Sequence, residues 1–310
     1  MSTNTEEGDY TKITIGVIVA ISVAIFVVGL IIDLVGSVDD SASSFQSSSY
    51  LVFVWRILCL SVGLYAIFFM FKVGPGNMMV VRLESNQEEL LHPVGIEKFV
   101  TFSSWTLLVN VLYFAVASLL QLMNNGESSD VGILGKLQVI LFVGGISMAF
   151  LTATVVRHII LPNEVRNARE HSHMFLFHEQ IMHNFAAIFL AVEMILISPN
   201  LASEFALIGL FFGIIYISFA YVNAYYGSGF IAYSFLHPKP KIAPIFAVGL
   251  ASSIAIFYLG LWLVSEVRQT NIWLSGIAMV VWTVLIVQFK PAILTDKENK
   301  QLIEKIENPN

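Results

Sequence analysis

The sequence predicts an all-α fold, a polytopic bundle of about eight membrane-spanning helices with both termini in the cytosol. The first observation is composition, since 56% of the 310 residues are hydrophobic and only 12% are charged. Soluble domains carry about 25% charged residues, so this much apolar surface needs lipid as its solvent. The second observation is the repeated occurrence of long apolar runs, and the third is a one-sided distribution of Lys and Arg.

The apolar runs define the predicted spans, because about 20 helical residues cross the hydrocarbon of a bilayer. We predict helices because isolated strands would leave backbone groups unpaired in lipid. Turn sequences containing Gly, Pro and Asn separate the runs, and the Ser-rich stretch 39–50 is predicted to be a flexible loop. The spans are predicted at 13–36, 51–73, 99–123, 137–161, 181–197, 204–223, 242–264 and 272–289.

The positions of the basic residues predict the orientation of the bundle. Of 16 Lys and Arg residues, 13 fall on the side of the N-terminus, whereas Lys136 and Arg268 lie on the other side and Arg56 lies within the second span. Basic loops remain in the cytosol. The polar tails 1–12 and 291–310 are therefore predicted to flank a transmembrane domain, 13–290, in the endoplasmic reticulum or the plasma membrane, and the C-terminal tail could form a short amphipathic helix.

Composition also excludes several classes of function. The net charge is -6, so we expect no nucleic-acid partner. The single cysteine, Cys59, lies in an apolar run, which excludes an internal disulfide and a thiolate metal site. Membrane lipids are the expected surroundings, and we predict neither a cofactor nor a metal.

Ionisable residues inside the spans are costly, so each needs a partner or a role. Asp33 and Arg56 lie near the outer ends of the first two spans, which predicts a structural ion pair or an Arg that extends towards the membrane surface. Glu193 lies about 18 Å along the fifth span at 1.5 Å per residue. We expect its carboxyl group to be neutral, or paired with a polar group such as Gln121 or Gln138, in a structural or a functional role.

Five of the seven histidines fall between positions 158 and 183. His178 and Glu179 are followed by His183 rather than by a histidine at 182, so the zinc-binding motif HExxH is absent. His158 and His183 are the pair nearest helix ends on one face, which leaves a haem-binding electron-transfer protein as one alternative. A non-enzymatic transporter or receptor, in which the polar residues form a pathway, is another.

Thr101 and His183 begin the third and fifth spans, which places both at the predicted cytosolic side. A threonine hydroxyl becomes a nucleophile when a neighbouring base takes its proton. A histidine can be that base, because its pKa is near neutral pH. Taken alone, these residue types more often serve as a helix N-cap and as an interfacial hydrogen-bonding group.

Three short patches carry a resemblance to a known family. The first is Lys-Phe-Val-Thr-Phe at 98–102, and the second is Met182-His183 with Glu193-Met194 ten residues after that histidine. The third is Tyr-Ser-Phe-Leu at 233–236. The chain resembles the androgen-induced-protein family of multipass membrane proteins, which includes hydrolases of fatty acid esters of hydroxy fatty acids. The resemblance covers 51–264, so the spans 13–36 and 272–289 would be additions.

The resemblance implies an intramembrane lipid esterase, a threonine-type carboxylic ester hydrolase that acts on an amphiphilic lipid ester without a cofactor. It implies that Thr101 is the nucleophile and His183 its general base. Gln180 stands where the family often has a second histidine, which leaves the group that orients His183 open. The candidates for supporting polar groups, including donors to the oxyanion, are Asn223, Tyr225, Tyr226 and Glu193.

Overall fold

The protein is a helical multi-pass membrane protein, as predicted, in a computed structural model that describes residues 8–123, 132–167, 169 and 171–290. Within these ranges seven helices are long and apolar enough to span a bilayer. They are α1 Thr11–Ile31, α3 Tyr50–Lys72, α4 Phe102–Met123, α5 Gly132–Arg166, α6 Phe177–Ile197, α7 Ser203–Ser228 and α8 Ala243–Thr270. Two shorter helices are α2 Leu34–Ala42 and α9 Ile272–Ile286.

The two ends of the chain differ in detail from the prediction. The helix α9 has 15 residues, or about 22 Å, which is shorter than the span predicted at 272–289. The first span ends at Ile31 rather than continuing to 36, because Asp33 adopts a left-handed conformation with a φ of 50°. The C-terminal tail, with its predicted amphipathic helix, lies outside the described residues.

The carboxylate of Asp33 begins a new helix rather than pairing with Arg56. It accepts a hydrogen bond from the backbone N–H of Gly36 at 3.2 Å, which caps α2. The predicted flexible loop 39–50 therefore begins inside α2 and continues as a short 3-10 turn, Ser43–Phe45.

The helix α5 forms the centre of the bundle. Of its most apolar stretch 83% is buried, compared with 11% for α1. The central helix packs against α4, α6, α7 and α8, whereas α1 turns most of its apolar side chains outwards. Outward apolar side chains are expected where lipid is the solvent.

Small residues allow α7 and α8 to approach closely. Gly209 and Gly213 on α7 face Ala255 and Ala251 on α8. A Cβ atom at Gly213 would lie 2.6 Å from the Cα of Ala251. Pairs of small residues four positions apart are a common way for membrane helices to bring their backbones together.

We expect Gly213→Ala to destabilise the bundle by about 1–3 kcal/mol, because the two backbones must separate to admit the methyl group. Gly249→Ala is the matched control, since a Cβ atom there would have no neighbour within 4 Å. The measurement is the thermal unfolding midpoint of both variants in lipid nanodiscs. Equal unfolding midpoints for the two variants would show that the close approach of α7 and α8 does not contribute to the stability of the bundle.

A small antiparallel sheet, which was not predicted from the sequence, lies at one end of the bundle. Its strands are β1 Met78–Arg82, β2 Glu88–Leu91 and β3 Phe230–Ile231, in the order β2-β1-β3. Val80, Phe230 and Ala232 pack together with Val100. The sheet therefore joins the segment before α4 to the segment after α7.

A buried ion pair connects α3 with α6 in the interior of the bundle. Nε of Arg56 donates to Oε1 of Glu193 at 2.7 Å, and neither side chain is exposed. The hydroxyl of Tyr113 donates to the same oxygen at 2.9 Å, and Arg56 also donates to Oε1 of Gln121 at 3.1 Å. The partner of Glu193 is therefore Arg56 rather than Gln121 or Gln138. Arg56 is fully buried, so it neither pairs with Asp33 nor extends towards the membrane surface, and both predicted alternatives are wrong.

Candidate functional site

A cavity of about 790 Å³ opens at the end of the bundle that carries the small sheet. Its wall is built from the ends of α3 and α5, the beginnings of α4 and α6, the strands β1 and β2, and the segment 232–235. This is the end for which the sequence predicts a cytosolic location. The polar residues of the lining include the predicted nucleophile and base, Thr101 and His183. They also include Lys98, Ser103, Ser104, His178, Glu179 and Tyr233.

Thr101 caps the N-terminus of α4 and lines the cavity. Its Oγ1 accepts the backbone N–H of Ser104 at 3.2 Å. The hydroxyl of Ser104 donates to the carbonyl of Lys98 at 2.7 Å, so the Thr101 hydroxyl is the donor in the 2.7 Å bond between the two side chains. Within the described ranges, no hydrogen bond joins the Thr101 hydroxyl to His183.

His183 is held against a carboxylate in the first part of α6. Its Nε2 lies 3.3 Å from Oε2 of Glu179, while Oε1 of Glu179 lies 3.4 Å from Nε2 of His178. Both histidines are buried. A carboxylate in contact with one ring nitrogen fixes the orientation and the tautomer of an imidazole.

Local irregularities in two helices contribute to the cavity wall. The segment Ile181–Phe185 of α6, which contains His183, is a π-helical turn. A second π-helical turn, Val156–Ile160 in α5, contributes His158 to the same wall. Single π-turns inside α-helices are frequent at functional sites, because the extra residue redirects side chains.

Lys98 fixes the segment that carries Thr101. Its side chain is buried, and its Nζ donates to the carbonyl of Met70 at 2.6 Å and to the carbonyl of Gly74. Met70 lies in the last turn of α3 and Gly74 follows the helix end, where a cation is favourable. Burial lowers the pKa of the Lys98 ammonium from its ordinary value, and the negative charge of Glu179 acts in the opposite direction.

Tyr233 lies between the sheet and the N-terminus of α4. Its hydroxyl accepts the backbone N–H of Phe102 at 3.1 Å, and the backbone and side chain of Ser103 lie beside it. Its ring stacks on Phe235 with the centroids 5.4 Å apart. Burial raises the pKa of Tyr233 to about 12, so the phenol keeps its proton at neutral pH.

The supporting groups proposed from the sequence lie outside the lining of this cavity. Nδ2 of Asn223 donates to the hydroxyl of Ser228 at 2.7 Å, Tyr225 is exposed, and Tyr226 is 89% exposed. Glu193 is paired with Arg56 instead. Glu179 and Tyr233 were not predicted as site residues from the sequence, although the spacing of four residues between Glu179 and His183 is a signal for contact on a helix.

Among the described residues, the remaining histidines do not assemble a metal-binding group. In the part of the chain that the structure describes, no cluster of three or more His, Cys, Asp or Glu side chains is arranged to hold a metal ion. His158 lies on the cavity wall, but its Nε2 donates to the carbonyl of Leu285 at 3.1 Å. Its Nδ1 is therefore the ring nitrogen left for another partner.

The cavity brings together residues from all three sequence patches of the family resemblance. Lys98 and Thr101 come from the first patch, His183 from the second and Tyr233 from the third. The sheet and the polar contacts described above hold these distant segments at one end of the bundle. Comparison of the chain with protein-family models, with curated proteins and with solved structures finds no match.

Proposed function

We propose that the protein is an intramembrane lipid esterase that hydrolyses fatty acid esters of hydroxy fatty acids. The observation that carries this proposal is that Thr101 and His183, distant in the sequence, line one cavity, with the carboxylate of Glu179 3.3 Å from His183. A hydroxyl, an imidazole and a carboxylate are the components of nucleophilic acyl transfer. The fatty acid ester class comes from the resemblance of the sequence patches.

The chemistry begins with the orientation of His183. The carboxylate of Glu179, 3.3 Å from Nε2 of His183, favours the tautomer with its proton on Nε2, which leaves Nδ1 as the proton acceptor. The hydroxyl of Thr101 turns from Ser104 towards His183 and gives Nδ1 its proton while Oγ1 attacks the ester carbonyl. Collapse of the tetrahedral intermediate breaks the bond to the alcohol oxygen, and His183 returns the proton to that oxygen. Water then releases the fatty acid from Thr101 by the same acid–base cycle.

The character of the cavity suits an amphiphilic substrate. Its wall combines apolar side chains, among them Met70, Met174 and Leu176, with the polar groups around Thr101. Binding sites for organic ligands are usually apolar with a few polar groups that fix orientation. An ester with two acyl chains would reach this cavity from the bilayer and place its carbonyl near the end of the bundle.

The test is to identify the residue that reacts with a fluorophosphonate probe in protein reconstituted in nanodiscs. We expect a single adduct on Thr101 by peptide mass spectrometry, loss of ester turnover in proportion to labelling, and no adduct in heat-denatured protein. An adduct on Ser103 or Ser104 with Thr101 unmodified would contradict the assignment of the nucleophile. Absence of turnover with a fatty acid ester of hydroxystearic acid, together with substrate uptake into liposomes, would favour a transporter.

A further inference from the structure

We infer that Tyr233 is a further catalytic residue, whose hydroxyl donates a hydrogen bond to the ester carbonyl oxygen as negative charge develops there. This inference rests on the proposed esterase function and extends it to the oxyanion site. Attack by Thr101 places a negative charge on the carbonyl oxygen, and enzymes stabilise this charge with preorganised hydrogen-bond donors. The donors must therefore lie close to the nucleophile and face the same cavity.

Tyr233 meets both conditions. It lines the cavity with Thr101, and its hydroxyl accepts the backbone N–H of Phe102, the residue next to Thr101. The hydroxyl of Ser103 lies 3.2 Å from Oγ1 of Thr101 and beside the Tyr233 hydroxyl. A row of hydroxyl groups thus connects the nucleophile with the phenol at the N-terminus of α4.

The environment of the phenol makes it a hydrogen-bond donor rather than an acid. The N–H of Phe102 occupies one lone pair of the oxygen, so the hydroxyl proton remains for another acceptor. A hydrogen bond received by the oxygen polarises the O–H bond and strengthens its donation. Since the pKa of Tyr233 is raised to about 12 by burial, the phenol keeps its proton while it stabilises the charge.

Two other donors close to Thr101, Lys98 and Ser104, are engaged with backbone carbonyls. Lys98 directs its ammonium group to the carbonyls of Met70 and Gly74, and Ser104 gives its proton to the carbonyl of Lys98. The oxygen of Tyr233 accepts the N–H of Phe102 and lies beside the hydroxyl of Ser103, which can act as donor or acceptor and can therefore adjust to a bound carbonyl. A bound carbonyl can therefore recruit the phenol of Tyr233 without breaking the hydrogen bonds that Lys98 and Ser104 make to the backbone.

The step balances without transfer of the phenolic proton. As Oγ1 of Thr101 forms its bond to the carbonyl carbon, the π electron pair moves to the carbonyl oxygen and the Thr101 proton moves to His183. Tyr233 stabilises the resulting oxyanion through its O–H. When the carbonyl re-forms, the bond to the alcohol oxygen breaks and that oxygen takes the proton from His183.

The test compares Tyr233→Phe with Tyr226→Phe. We expect Tyr233→Phe to lower kcat by about 10²–10³-fold with little change in KM, as for loss of an oxyanion donor elsewhere. The ring that stacks on Phe235 is retained in this variant. Tyr226 is 89% exposed and outside the cavity lining, so Tyr226→Phe should behave as the wild type.

A second readout separates catalysis from a purely structural role. A trifluoromethyl ketone analogue of the ester forms a tetrahedral oxyanion with the nucleophile and so resembles the transition state. In Tyr233→Phe, its inhibition constant should therefore rise by the same factor by which kcat/KM falls. Inhibition by the product fatty acid should not change. Equal weakening of both inhibitors, or an unchanged kcat, would overturn the role of Tyr233 and leave the esterase proposal standing.

A polyfluorinated tyrosine at position 233 keeps the test decisive if Tyr233→Phe does not fold. This phenol has the same shape and a lower pKa, so we expect kcat to decline at a lower alkaline pH than in the wild type. An unchanged alkaline limb would overturn the inference. Full turnover after loss of the Thr101 hydroxyl would instead overturn the esterase mechanism, and the role of Tyr233 with it.

Discussion

Replacing Thr101 by Asn should leave the protein folded and abolish ester hydrolysis. Asn is as good a helix N-cap as Thr, so its side chain can accept the N–H of Ser104 that Oγ1 of Thr101 accepts. It has no hydroxyl, and we expect kcat to fall by at least about 10³-fold, as expected for removal of a nucleophile. Turnover per mole of folded protein and the thermal unfolding midpoint are measured on the same preparation.

The variant Thr101→Ser separates the two roles of this residue, because it keeps both the cap and the hydroxyl. We expect it to retain most of the activity. Thr270→Asn makes the same exchange at the exposed end of α8, where the threonine hydroxyl donates to the carbonyl of Val267, and it should not change turnover. If Thr101→Asn hydrolyses the ester at the wild-type rate, Thr101 is a helix cap and nothing more.

Replacing Glu193 by Leu should cause the largest loss of stability. The charge of Arg56 would remain buried without its carboxylate, and Tyr113 would lose its acceptor. Breaking a buried ion pair in this way costs about 3–5 kcal/mol. The measurement is the free energy of unfolding in mixed micelles titrated with a denaturing detergent.

A double variant gives the sharper comparison. We expect Arg56→Met with Glu193→Leu to be more stable than Glu193→Leu alone, because replacement of both partners removes the uncompensated charge. Glu84→Leu is the control for loss of an exposed acidic residue, with an expected change within about 0.5 kcal/mol. A loss below about 1 kcal/mol in Glu193→Leu would show that water or lipid headgroups solvate Arg56.

Several features of this protein were predictable from short stretches of sequence. The spans follow from apolar runs, because a chain in lipid must satisfy its backbone hydrogen bonds within each segment. The capping role of Thr101 follows from the residue type at a helix start, and the contact of Glu179 with His183 follows from their spacing. These are local relationships, so neighbouring residues carry the information.

The sequence by itself thus determined the seven long helices of the described residues and the residue types available for chemistry, whereas it predicted α9 as a full span and did not predict α2. Only the tertiary structure decided that Arg56 pairs with Glu193, that β3 joins a sheet with β1, and that Tyr233 meets the N-terminus of α4. The physical reason is that a buried polar group takes whichever partner the packing of distant segments brings within about 3 Å. Local hydrophobicity specifies that each helix forms, but not which faces meet.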